Sequence, residues 1–102
     1  MSGYHLKPPG SRSVVVTDWQ RGHLEPGERV AAIAGWSVHA ARPGEVGLRV
    51  VSARHDGART RLAVEGGLPG RVYMLIARIV TNTGRAHCRA VVVRIALDPR
   101  PD

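Results

Sequence analysis

A chain of 102 residues and 11.0 kDa has room for one domain, because a single core serves about 100–150 residues. Its one cysteine, Cys88, excludes an internal disulfide and any multi-cysteine zinc or iron–sulfur site. The net charge of +7, from 15 Lys and Arg against 8 Asp and Glu, turns attention to polyanionic or acidic partners. That pull is weak, since 14 of the 15 cations are Arg, a bias that a GC-rich coding sequence also produces. Aromatic residues make up 4% and Phe is absent, so the expected core is aliphatic, with 14 Val and 12 Ala packed around Trp19, Trp36, Tyr4 and Tyr73. Such β-branched content favours strands.

Residues 1–12 hold Gly3, Pro8, Pro9 and Gly10 without periodicity, and read as an extended N-terminal arm. The start of the chain has one Lys and no apolar stretch of signal-peptide length. The longest stretch free of Asp, Glu, Lys and Arg, Val30 to Ala41, is shorter than the roughly 20 residues that span a bilayer. The expectation is a soluble protein made in a cytoplasm, with no membrane partner.

From Ser13 onward, short Val-rich runs alternate with Gly, Pro, Asn and Asp, the pattern of an all-β sandwich or barrel. Strands are expected near 13–19, 29–34, 36–41, 46–54, 59–65, 71–81 and 86–97, filling one sandwich domain over 13–98 with a C-terminal tail at 99–102. Arg29 to Gly35 is alanine-rich but too short for an isolated helix, which needs about 12–15 residues. His55-Asp56-Gly57-Ala58 predicts a hairpin that pairs 46–54 with 59–65 antiparallel. Thr81-Asn82-Thr83-Gly84 predicts a second turn. Over 71–81, Val72, Met74, Ile76 and Val80 alternate with Tyr73, Leu75, Ala77 and Ile79; both faces are apolar, as in a central strand. In the last strand Arg94 marks the outward set, leaving Val91, Val93, Ile95 and Leu97 as core.

Tyr73 stands just inside a strand, after the corner Leu68-Pro69-Gly70. Two readings stand: the tyrosine corner of immunoglobulin-like sandwiches, whose hydroxyl bonds back to upstream backbone, or a half-buried strand tyrosine. Both make Tyr73 structural.

Catalytic chemistry has no seat in this pattern. His5, His23, His39, His55 and His87 show no His-x₃-His or Glu-x₂-His spacing, so no metal site is expected. His87 and Cys88 are neighbours on a strand and point to opposite faces, leaving Cys88 as a small semi-buried filler. Gly66-Gly67-Leu68-Pro69-Gly70 lacks the Lys-Ser/Thr ending of a P-loop and reads as a turn. The eight carboxylates offer no acid–base pair on a common face. The expectation is a non-enzyme without cofactor.

Arginine supplies the one remaining constellation. Arg49, Arg54, Arg59 and Arg61 crowd the Asp-Gly hairpin, either as a basic finger for an acidic surface or nucleic acid, or as edge charge that keeps a sheet soluble. Nucleic-acid modules add exposed aromatics for base stacking, and two Trp and two Tyr leave few to spare.

Specific residues then match a known pattern. Asp18-Trp19, followed by Leu24, Gly27, Glu28, Val30, Ile33, Trp36 and Val38, is similar to a block reading Asp-Trp, a spacer, Gly-Asp-Thr-Ile and Trp-x-Val. Gly66, Gly67, Gly70 and Tyr73, then Ile79, Thr81, Gly84, Arg85 and Arg94-Ile95, match Gly-Gly, Gly, Tyr, Ile-x-Thr and Gly-Arg. Lys7-Pro8-Pro9 fits the Lys and Pro that precede the first strand. The chain thus resembles, over residues 7–97, the small phage fibre–tail adaptor proteins. It departs from them at Gln20, at Glu28-Arg29-Val30 and in the Arg-rich stretch 46–61.

The resemblance implies an immunoglobulin-like antiparallel β-sandwich of the virion. Such a protein sits in multiple copies round the tail or neck and gives tail fibres or spikes, through their N-terminal regions, a place to attach. Candidate contacts are Tyr4, His5, Lys7, Pro8, Pro9 and Arg12 in the arm, and Arg54, Arg59 and Arg61 in the hairpin. A capsid decoration or head-fibre protein and a basic nucleic-acid-binding β module are the alternatives.

Overall fold

The computed structural model describes residues 3–21, 24–40 and 47–97. Alternation of apolar and polar side chains, broken by glycine turns, folds them into seven strands and no helix: β1 (Gly3–Lys7), β2 (Ser13–Asp18), β3 (Val30–Ala40), β4 (Leu48–Asp56), β5 (Arg59–Gly66), β6 (Val72–Thr81) and β7 (Ala86–Ile95). One sheet has the order β1-β7-β6-β3 and the other β2-β5-β4. The all-β sandwich expected from the sequence is present. The central position of β6 also agrees with its two apolar faces, since β7 and β3 flank it.

The β4–β5 hairpin closes through the two residues Gly57 and Ala58, with Asp56 opposite Arg59. Gly57 has φ +61° and no non-glycine residue among those described has a positive φ, so this is the II′ pattern with glycine at the first central position. The β6–β7 turn is fastened by Gly84 N–H donating to Thr81 C=O at 3.0 Å.

The tertiary structure corrects several expectations. Residues 3–7 are not a free arm: they form an edge strand, in parallel register with β7 from Gly3 opposite Val91 to Lys7 opposite Ile95. The sandwich is therefore antiparallel except for this pair. The segments expected at 29–34 and 36–41 are one strand, β3, which carries register shifts at Val30/Ala32 and Ile33/Gly35 instead of a turn. Bulges absorb the extra residues that broke its alternation. Leu97 lies past the end of β7 and is 68% exposed, so it is not core. Tyr4 and Trp36 are also largely exposed, on the edge strands β1 and β3, and Cys88 faces solvent rather than filling a gap. The tail 99–102, His23, Ala41 and Val46 lie outside the described residues.

The core is a layer of aliphatic side chains between the sheets. Val15, Leu62 and Val64 from one sheet meet Tyr73, Leu75, Ile79, Val93 and Ile95 from the other, with Trp19 closing one end. Each buried aliphatic side chain contributes about 1.5–3 kcal/mol relative to exposure, so this layer dominates stability. Trp19 is fully buried and satisfies its indole by donating Nε1–H to Thr60 Oγ1 at 3.0 Å.

Candidate docking surfaces

Three features frame the site. The first is a corner. Leu68 N–H donates to the hydroxyl of the buried Tyr73 at 3.0 Å, the tyrosine-corner reading. The approach requires glycine: Gly66 (φ +83°) and Gly67 (φ +92°) lie so close to the Gly47 carbonyl and to the Ile95 side chain that a Cβ at either would collide. Gly70 completes the turn, its N–H bonded to Ile95 C=O at 2.9 Å.

The second is a buried carboxylate. Glu28 Oε2 accepts from Thr81 Oγ1 at 2.6 Å and from Thr83 Oγ1 at 2.8 Å. Its Oε1 accepts from Glu25 N–H at 2.9 Å and from Arg85 Nη1 at 3.0 Å. The Thr81 bond first, then the Glu25 amide, with Thr83 and Arg85 adding, hold its pKa down at about 2 against the opposing effect of burial. Arg29 and Asn82 bond reciprocally beside it, each at 3.0 Å. Glu28, Thr81, Gly84 and Arg85, all in the matched blocks, therefore lock the start of β3 to the β6–β7 turn. Sequence reading did not give Glu28 this role, because its side-chain partners Thr81, Thr83 and Arg85 stand more than fifty positions away and nothing local announces them.

The third is a basic face. Cross-strand register puts Arg54 directly opposite Arg61, and Arg59 between Asp18 and Asp56, on the outer surface of the β2-β5-β4 sheet. Arg12 joins them: with Val14, Ser52, Arg54, Arg61 and Ala63 it lines an open hollow of about 310 Å³. Arg12 is tied to Glu65 Oε2 through Nη2 at 2.7 Å and Nε at 3.1 Å, and Arg49 reaches Glu65 Oε1 at 3.1 Å. The Arg12 bonds foremost, then Arg49, lower the Glu65 pKa. Arg54, Arg59 and Arg61 make no ion pair among the described residues.

The N-terminal candidates separate. Tyr4 (64% exposed) and Leu6 (55%) face outward beside Val92 and Arg94 of β7. Pro8 is exposed and Pro9 half-buried. His5 turns inward to Ser13 Oγ at 2.7 Å, and burial followed by the Lys7 charge lowers its pKa. Lys7 is fully buried, its Nζ donating to Pro8 C=O at 3.1 Å; burial lowers its pKa while Glu65 opposes the shift. A side chain so enclosed is withdrawn from the contact set. Arg89 was not singled out from sequence, although it shares the parity of Val91 and Val93 and so had to point inward. Its Nη1 donates to Asp18 C=O at 3.0 Å.

No group of three His, Cys, Asp or Glu is placed to hold a metal among the described residues, and no helix is long and apolar enough to cross a membrane. What the sandwich presents is surface: a bare arginine pair on one sheet and exposed apolar side chains on the other. Across residues 7–94 the chain matches the family model described as the podophage GP4 fiber-tail adaptor protein gp77. It belongs to that family, a family of phage structural adaptors. A search of curated proteins finds no match.

Proposed function

We propose that this chain sits in several copies on the phage tail or neck, holds fibres or spikes there without catalysis, and docks an acidic partner surface on the basic face of its β2-β5-β4 sheet. The observation that carries this reading is Arg54 opposite Arg61. Like charges directly opposed across strands are unfavourable by about 0.2–1 kcal/mol, and among the described residues no carboxylate forms an ion pair with either. A folded chain keeps such a pair at a cost that an acidic partner cancels. The outward Tyr4 and Leu6 of β1 supply a second, apolar contact on the opposite sheet. Lettering the strands A to G in chain order gives sheets A-G-F-C and B-E-D; the G-F-C and B-E-D orders support an immunoglobulin-like sandwich, with the first strand placed on the edge beside G instead of beside B. Each interface is modest and heterologous, and repetition round the tail supplies avidity.

The test is immunogold labelling of virions together with Arg54, Arg59 and Arg61 changed jointly to Ser. Gold at the tail or neck, with fibre attachment lost in the variant, is the expected result. Gold spread over capsids overturns the location, and normal fibre attachment in the variant overturns the basic face.

A further inference from the structure

The two long sides of the sandwich are built differently. On one side the edge strands β3 and β4 carry register shifts, at Val30/Ala32 and Ile33/Gly35 in the first and at Val50/Ser52 in the second. Bulges of this kind blunt an edge against strand addition. On the other side the edge strands β1 and β2 run in unbroken register with their partners. The β2 sequence Ser-Val-Val-Val-Thr-Asp contains no Lys, Arg or Pro, and its outward Val14 and Val16 are 46% and 52% exposed. An unblunted edge of high β propensity, with backbone groups free on one side, is a template for another strand.

Beside that edge lies a cleft. His5 and Ser13 tie β1 to β2 through their 2.7 Å bond. Along from it, between Gly3–His5 and Val15–Asp18, is a space of about 240 Å³ that Arg21 and Arg89 also line. Arg89 lines this space with its Nε buried and without a hydrogen-bond partner, although its Nη1 is bonded to Asp18 C=O. A desolvated guanidinium N–H without an acceptor is a standing penalty that an incoming oxygen removes.

We propose that the β1–β2 cleft receives an extended acidic segment of a partner protein, which pairs its backbone with the free edge of β2 and sets a carboxylate against Arg89. Alternation along the added strand sends one set of side chains into the cleft, toward Arg21 and Arg89, and the other over the sheet face that holds Arg12 and Arg61. Cations therefore meet both faces of the added strand. Asp18 is the lone acid of β2. The flanking Arg12, Arg21, Arg61 and Arg89 select an acidic segment over a second copy of this chain, whose own arginines would be brought into opposition to them. The proposal rests on the adaptor reading only for the origin of the segment.

Its test needs no phage. The probe is a blocked eight-residue peptide alternating Asp and Val, titrated into the ¹⁵N-labelled full chain, with a Lys-Val peptide as control. Shifts concentrated in Gly3–His5, Ser13–Asp18 and the Arg89 Nε–H, absent with the Lys peptide and at least fivefold weaker in affinity for Arg89→Met, are expected. Arg21→Ser, at an exposed position, gives the same loss of affinity if Arg89→Met does not fold. Joint change of Arg54 and Arg59 to Ser, which spares Arg61, leaves the β2 shifts in place. Shifts centred on Arg54 and Arg59, equal affinity in those of the Arg89 and Arg21 variants that fold, no binding at millimolar peptide, or self-association through β2 would each overturn the cleft. Failure here with gold still at the tail removes the cleft alone, whereas gold on capsids with intact peptide binding removes the adaptor location alone.

Discussion

Removing one oxygen from the corner, Tyr73→Phe, isolates a single hydrogen bond. The ring stays in the core, where Tyr73 is 2% exposed, and the lost atom is the acceptor for Leu68 N–H at 3.0 Å. A buried donor left without a partner costs about 1–3 kcal/mol. Leu68 itself is 47% exposed, so water reaches part of the vacated site and the lower half of that range applies, about 1–2 kcal/mol. For a domain of this size that corresponds to a fall in Tm of roughly 4–16 °C. Urea unfolding of both proteins gives the energy directly, provided the m-value is unchanged. Hydrogen exchange supplies the local signature, with the Leu68 amide losing protection before the strand amides of β6. A difference below about 0.3 kcal/mol, with Leu68 protection unaltered, refutes the reasoning, since a bond whose loss leaves an orphaned donor cannot be that cheap.

Glu28→Gln tests the buried carboxylate through pH. The folded-state pKa of Glu28, about 2, lies below the ordinary value of 4.5, so its contribution is present above pH 4.5 and is lost as pH falls through 2. The variant is expected to be less stable at pH 7 and to show a shallower decline between pH 4.5 and 2 in urea midpoints; parallel curves would refute the assignment. Arg54→Ser with Arg61→Ser is expected to stabilise the isolated chain by about 0.2–1 kcal/mol at low salt, and by less at high salt, because it removes the opposed charges. A loss of stability on thermal melting would show that the arginines serve the fold instead of a partner.

Local chemistry carried much of this protein. Period-two alternation, fourteen valines and glycine-bearing turns determined an all-β chain, and Gly57 after Asp56 placed the β4–β5 hairpin because glycine takes positive φ at little cost. The apolar faces of β6 announced its central position, and Leu68-Pro69-Gly70 before Tyr73 raised the corner as one of two readings, which the Leu68 N–H to Tyr73 hydroxyl bond then favours. Each of these signals lies within about ten residues of the structure it specifies.

What the sequence left open depends on separation along the chain. Gly3–Lys7 has too little periodicity to declare itself, and becomes a strand only because β7, some ninety residues later, offers it a parallel edge. Lys7 is charged and yet buried, since that edge and Pro8 enclose it. Bulges in β3 disguised one strand as two, and Glu28 finds its side-chain partners Thr81, Thr83 and Arg85 across more than fifty positions. The basic face was half legible: Arg54, Arg59 and Arg61 flank a visible turn, but only packing brought Arg12 to them and left Arg89 facing a cleft. Turn geometry and side-chain alternation are decided by neighbours in sequence; which edges remain open, and which charges meet on them, is decided only when distant strands pair.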